Sequence, residues 1–250
     1  MNKEELEIDF KNFSKNWENT EIFNNQIYEY FESKVNDYDI LNNHNETIGK
    51  LNYGYGEKAF RYLWLLLFSQ MPQNGKFLEI GVYKGSILAL SQICSNSLNK
   101  NIQTYGLTPL YNVSDKYSEY PAENYIKCIE FLFSEFNLDS SKVNIIKGLS
   151  TDINAQTQAI EHGKYDIIYI DGGHDYETVI SDINLCDKLL KTNGFLVMDD
   201  ASSFLNMPQK SNRFSGHHDV GLAIEYSIGK DENYKHLFAC GHNRVWQKIK

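Results

Sequence analysis

The sequence predicts an α/β fold: a doubly wound, mostly parallel sheet, closed by a C-terminal antiparallel hairpin and preceded by a helical N-terminal cap. Three observations predict it. Apolar runs of strand length alternate with helical patterns from residue 76 to 199. The runs at 76–82, 165–171 and 194–199 are continuous, as parallel strands covered on both faces are. The stretch Phe77-Leu-Glu-Ile-Gly-Val-Tyr-Lys-Gly-Ser-Ile-Leu88 turns such a run at once into a helical pattern through Gly81 and Gly85.

The elements follow in order. Residues 1–50 are polar with interleaved aromatics (Phe10, Phe13, Trp17, Phe23, Tyr28, Phe31), which reads as one or two amphipathic helices and then a loop at 42–47. The cap is assigned to residues 1–53 and the main domain to 54–250. A glycine turn at 54–56 opens a helix with a broad apolar face, ended by 71–75. Strands are expected at 76–82, 102–107, 143–147, 165–171 and 194–199, with helices at 86–95, 122–136, 153–162 and 176–190 between them. A long loop spans 109–121 and another 201–218; a helix follows at 220–228. The strands 236–240 and 244–249 flank Gly241-His-Asn243 as a hairpin.

Bulk properties narrow the function classes. The chain has 250 residues, 42% of them hydrophobic, enough for one large core. A net charge of −9 without a Lys/Arg-rich block argues against a nucleic-acid partner. The longest apolar run, 62–68, is far short of the ~20 residues of a membrane span. The first residues are polar and acidic, unlike a signal peptide. Cys94, Cys128, Cys186 and Cys240 have no metal spacing and read as buried free thiols in a reducing, cytoplasmic setting.

A strand turned tightly into a helix exposes backbone at the carboxyl edge of a sheet, where α/β folds place a cofactor. The spacing Gly81-x3-Gly85 is neither G-x-G-x-x-G nor a P-loop. It resembles motif I of class I S-adenosylmethionine (SAM) methyltransferases. That resemblance implies a Rossmann-like, seven-stranded sheet and a SAM cofactor. Gly81, Gly85 and Ser86 then lie under the methionine part, with Glu79 as the motif I acid that orients the glycine loop or the ammonium group. Gly148-Leu-Ser-Thr-Asp152 resembles the turn by which related O-methyltransferases hold adenine, which makes Ser150 and Thr151 candidates. Equally, Ser150 or Asp152 could cap the next helix. One departure stands out: Thr108 occupies the position where an Asp or Glu usually grips the ribose hydroxyls. That leaves a weaker grip, or an acid borrowed from the loop, such as Asp115.

Asp171 ends the fourth strand, and Asp199 and Asp200 end the fifth. If the fourth strand lies between the first and fifth, these acids converge and repel unless a cation sits among them. Hard oxygen donors suit Mg²⁺, or Mn²⁺. The pattern resembles divalent-metal-dependent O-methyltransferases of the catechol and macrocin/mycinamicin sugar types, and Asp-Gly-Gly-His-x-Tyr-Glu is nearer the macrocin-like branch. The resemblance makes Asp171, Asp199 and Asp200 the metal ligands; the alternative is a helix cap at Asp171 and a metal-free strand-five motif. Methyl transfer to oxygen needs a proton acceptor. His174, three residues beyond Asp171, is the candidate base, with a helix-cap role as its rival; Gly173 replaces the Asp that sugar-type relatives use. His217 and His218 are candidates for acceptor contact, and Tyr53 and Tyr55 either wall the acceptor pocket or pack the cap.

Together these imply a SAM-dependent O-methyltransferase acting on a sugar or other polar small-molecule hydroxyl, with neither nucleic acid nor membrane as partner. A homo-oligomer is compatible with the sequence. Two other readings stand beside it: an N-methyltransferase of a nucleotide-linked sugar without metal, and a catalytically silent SAM-fold binding protein, which Thr108 favours.

Overall fold

The computed structural model of the chain describes residues 2–202 and 214–250. It opens with three helices: α1 (Lys3–Asn16), α2 (Glu21–Val35) and α3 (Asp39–Leu51). The segment 42–47, expected as a loop, lies inside α3. Leu41, His44 and Ile48 recur at helical spacing and are buried, and this stripe overrides the poor helix propensity of the asparagines. An i,i+4 bond from Asn42 to Glu46 supports the exposed side, and the helix stops at left-handed Asn52.

Then come α4 (Phe60–Gln70), β1 (Lys76–Ile80), α5 (Ser86–Ser97), β2 (Gln103–Thr108), α6 (Tyr125–Glu135), β3 (Val143–Lys147), α7 (Ile153–Glu161), β4 (Tyr165–Ile170), α8 (Tyr176–Leu189), β5 (Leu190–Met198), α9 (His218–Glu225), β6 (Tyr234–Cys240) and β7 (Asn243–Lys248). The seven strands form one sheet in the order β3-β2-β1-β4-β5-β7-β6. The first five pair in parallel, and β7 inserts antiparallel between β5 and β6. The expected α/β sheet with its antiparallel hairpin is the fold observed. β4 does lie between β1 and β5. The chain leaves β1 in opposite directions toward β2 and β4, which opens a crevice at their carboxyl ends.

Two apolar layers hold the sheet. On one face α1, α2 and α4 pack through Leu6, Phe31 and Trp64 against Phe77, Tyr169 and Val197. Trp64 meets Tyr169 edge-on at 4.8 Å and is wholly buried, as is Phe31; each such side chain contributes roughly 1.5–3 kcal/mol by burial. The N-terminal helices therefore share a core with the sheet. On the other face α7, α8 and α9 cover Leu78, Ile168 and Leu196. All four cysteines are buried and none is in a disulfide, as the sequence implied. Among the described residues no helix is long and apolar enough to cross a membrane. The centre of the loop expected at 201–218 lies outside the described residues.

Candidate active site at the strand ends

A cavity of about 730 Å³ opens where β1, β2, β3, β4 and β5 end, within the size range of ligand sites. The turn after β1 forms its floor. Gly81 has φ +96° and Gly85 φ +86°. A Cβ at Gly81 would overlap the Asp171 carbonyl, and one at Gly85 would come within 2.9 Å of Ile129. The glycines are thus required first by the chain itself: the β1 turn lies directly against the β4 turn. Gly85 is the residue before α5, so the helix presents its free N–H groups at Ser86 to the cavity.

Glu79 is buried and lines the cavity; its Oε2 has no hydrogen-bond partner. Burial, and then Asp199, push its carboxyl up to about 8. Thr108 also lines the cavity, but its hydroxyl is engaged: it donates to the Val82 carbonyl at 3.0 Å and accepts from the Leu110 N–H at 3.3 Å. It ties two turns together and has no proton left for a ribose. Half-buried Ser150 and exposed Thr151 line the far end, after β3. Asp152, not Ser150, occupies the position before α7, and its carboxylate accepts from the Leu149 N–H.

The acids meet as the topology requires. Asp171 is raised well above the carboxylate range by burial and then by the charges of Asp199 and Asp200. Burial and Asp200 likewise raise Asp199. Asn243 donates to Asp199 at 2.6 Å. Asp200 adopts φ +53°, unusual for a residue with a Cβ. Its carboxylate faces the histidines: His174 Nε2 lies 3.1 Å and His217 Nε2 3.4 Å from its Oδ2.

Asp115, expected as a substitute ribose acid, instead serves His174. Its Oδ2 accepts from the His174 backbone N–H at 2.9 Å and lies 2.7 Å from Nδ1. Despite burial, hydrogen bonds from His174, Tyr117 and Ser118 keep Asp115 below the usual carboxylate range. Burial opposes a charge on His174, but Asp200 and Asp115 outweigh it and raise its pKa. With a carboxylate facing each ring nitrogen, the protonated form of His174 is favoured, and the ring can act as a base only from its neutral form. Neighbouring His217 is the reverse case: burial lowers its pKa, and its ring packs on Tyr117 at 4.4 Å and on His174 at 4.5 Å. His218 starts α9, exposed and outside the cavity lining, so its predicted role is not supported.

The expected metal triad is redrawn in the same way. Among the described residues two sets of donor atoms lie within 4.8 Å of one another: His174, Asp200 and His217, and Asp199, Asp200 and His242. Asp171 belongs to neither. His242 escaped the sequence reading because Gly241-His-Asn243 looks like nothing more than a hairpin turn. It is buried against Phe60, with Nε2 3.4 Å from Asp199 and Nδ1 3.8 Å from Glu57. The charge crowded among Asp171, Asp199 and Asp200 fits a divalent cation. Glu57 and Arg61 were missed as well, being the polar residues at the start of an apolar helix. Tyr53 and Tyr55 both line the cavity; Tyr53 also packs on Phe131, and exposed Tyr55 stacks on Tyr83.

A profile of the methyltransferase-domain family matches residues 78–201, which span β1 to the end of β5. An uncharacterised protein of Acanthamoeba polyphaga mimivirus is 33% identical over 176 residues, 69% of this chain and 71% of that protein. The chain belongs to the SAM-dependent methyltransferases. Among solved structures of this fold, an O-methyltransferase from Bacillus cereus in complex with SAH matches with a TM-score of 0.57 and 17% identity, over 88% of this chain and 96% of that one. MycE, a methyltransferase from the mycinamycin biosynthetic pathway solved with Mg and SAH, matches with a TM-score of 0.53 and 18% identity, over 84% of this chain and 55% of that one. The cavity described is large enough for a ligand of the size of SAM and lies at the carboxyl ends of the strands. The orphaned Glu79 oxygen fits the ammonium group, and the open start of α5 and the turns after β2 and β3 frame the remainder.

Proposed function

We propose that this methyltransferase transfers the sulfonium methyl group to a hydroxyl of a sugar or other polar small molecule, assisted by a divalent cation. The observation that carries this reading is the cluster at the ends of β4 and β5: Asp171, Asp199 and Asp200 with His174, His217 and His242 at one side of the SAM cavity. Asp199 and Asp200, with His242 beside them, would hold the cation. The cation would act as a Lewis acid that makes the acceptor hydroxyl easier to deprotonate.

In the transfer, the acceptor oxygen forms a bond to the methyl carbon as the carbon–sulfur bond breaks, and the hydroxyl proton leaves to a base. The chain offers two imidazoles for it. His174 is oriented by Asp115 through Nδ1, and in its neutral form its Nε2 has the lone pair that takes the proton. His217, whose pKa burial lowers, is the second candidate. Exposed Tyr55 and Tyr111 flank the entrance and suit the apolar face of a sugar ring or another flat acceptor. In this reading residues 1–53 are a cap on a domain of residues 54–250. The enzyme works in the cytoplasm without nucleic acid or membrane, and self-association is open to test.

The test is methyl transfer to a panel of sugars and catechol-like acceptors after chelator treatment, with Mg²⁺ or Mn²⁺ added back. Activity should vanish and return, and Asp199→Asn should weaken cation affinity more than SAH affinity. Full turnover in excess chelator would leave the metal-free N-methyltransferase reading in its place. No transfer to any acceptor despite tight SAH binding would favour the silent binding protein.

A further inference from the structure

Arg61 is a buried cation without a counter-ion. Its residue is 4% exposed, and among the described residues no carboxylate forms an ion pair with it. Nη1 donates to the carbonyls of Gly56 and Glu57, at 2.5 and 2.7 Å. Nε has no partner at all. Two backbone carbonyls orient the guanidinium but do not neutralise it. Burying an arginine this way is costly unless an anion completes the site. Arg61 also lines the cavity, on the same side of the sheet as Glu79: α4, which carries it, packs on the face to which Tyr169, the β4 partner of Glu79, contributes. A buried acid with an orphaned oxygen and a buried base with an orphaned nitrogen thus line one cavity without pairing with each other.

We propose that Arg61 binds the α-carboxylate of the cofactor, so that Arg61 and Glu79 recognise the two charged ends of its amino-acid group. The inference rests on the SAM-binding reading of this cavity. It adds a recognition residue from α4, outside the segment 78–201 that the family profile matches. It also explains why a helix whose residues from Tyr62 to Phe68 are all hydrophobic and buried carries a buried arginine in its first turn. The planar fork of the guanidinium suits a carboxylate, which a lysine's point charge would match less well.

The test is calorimetric binding of three probes to the full chain: SAH, its decarboxylated analogue, and 5′-methylthioadenosine, which lacks the whole amino-acid group. The wild type should bind SAH about 10- to 100-fold more tightly than the decarboxylated analogue, the range of a charge-assisted hydrogen bond. In Arg61→Met the SAH affinity should fall by that factor, while affinities for the other two probes stay as they were. Arg61→Lys should lie between the two. Equal loss for all three probes in a folded variant, or no loss for SAH, would overturn the assignment. If Arg61→Met does not fold, the wild-type comparison decides alone: equal affinity for SAH and its decarboxylated analogue overturns it. If 5′-methylthioadenosine and SAH both fail to bind the wild type, the cofactor reading itself falls, which is a different result from the loss of carboxylate preference.

Discussion

His174 is held by Asp115 through its ring Nδ1 at 2.7 Å, across 59 residues of sequence. The same carboxylate also takes the His174 backbone N–H, so the loop after β2 and the turn after β4 are fastened at one point. Two bonds from one acid fix both where the imidazole is and how it is rotated. That is the arrangement by which an orienting carboxylate serves a histidine that handles protons.

Asp115→Asn keeps the shape and removes the charge. If Asp115 positions His174, kcat should fall about 10²-fold, at the lower end of what general base catalysis contributes. SAH affinity should change little. Because Asp115 raises the His174 pKa, the variant's pH–rate limb should move to lower pH. An unchanged kcat with an unmoved limb would leave His217 as the base and reduce Asp115 to a loop fastener.

Gly81 answers to the protein before it answers to the ligand. Gly81→Ala places a methyl group against the Asp171 carbonyl in a left-handed backbone, so the expected loss is in stability, about 2–4 kcal/mol. Chemical denaturation of the apoprotein reads it directly. A variant as stable as wild type that merely bound SAH poorly would return Gly81 to the role of a ligand-clearance residue alone.

The sheet was legible because its strands are continuous apolar runs, and because motif I marks where the first of them turns. The convergence of Asp171, Asp199 and Asp200 followed from strand order alone. What could not be read was the direction each side chain takes after the strand ends. Asp200 has a left-handed backbone, and its carboxylate faces His174 and His217. Thr108 was judged by its place at the end of the second strand and Asp115 by its place in the loop after it, whereas their partners, Val82 and His174, are set by how loops fold over one another. His242 reaches Asp199 only because β7 inserts beside β5, and a hairpin motif says nothing of which strand it joins. The missed third helix has a simpler cause: its buried stripe is short and contains a histidine, which a hydrophobic pattern passes over.

Glu79→Gln retains volume and removes the charge that an ammonium group needs. SAH affinity should fall about 10-fold, in line with a charge-assisted hydrogen bond. The apoprotein should respond in the opposite sense. The folded carboxyl is pushed up to about 8 from 4.5, so between those values the folded state keeps a proton that the unfolded chain has lost. Wild-type stability should therefore decline across that window as pH rises, and the Gln variant should lack this contribution. Parallel stability curves together with unchanged SAH binding would detach Glu79 from the cofactor.

His44 sets an acid limit of the opposite sign. Burial, and then the Arg61 charge, lower its pKa from 6.5 to about 3, while Nε2 stays 3.0 Å from the Ser86 carbonyl at the start of α5. The ring is neutral when folded, and in the unfolded chain it takes up a proton below 6.5. The unfolded state thus binds more protons between about 3 and 6.5, and stability drops as pH falls through that range, by about 1.4 kcal/mol per pH unit for one such group. His236, buried beside Arg244 and lowered in the same direction, adds to the slope. His44→Gln can still donate to the Ser86 carbonyl but cannot be protonated. Its denaturation free energy, followed from pH 7 to 4, should fall with a slope shallower by about one proton. The same slope as wild type would mean that His44 is already charged in the folded protein, beside an arginine that should exclude it.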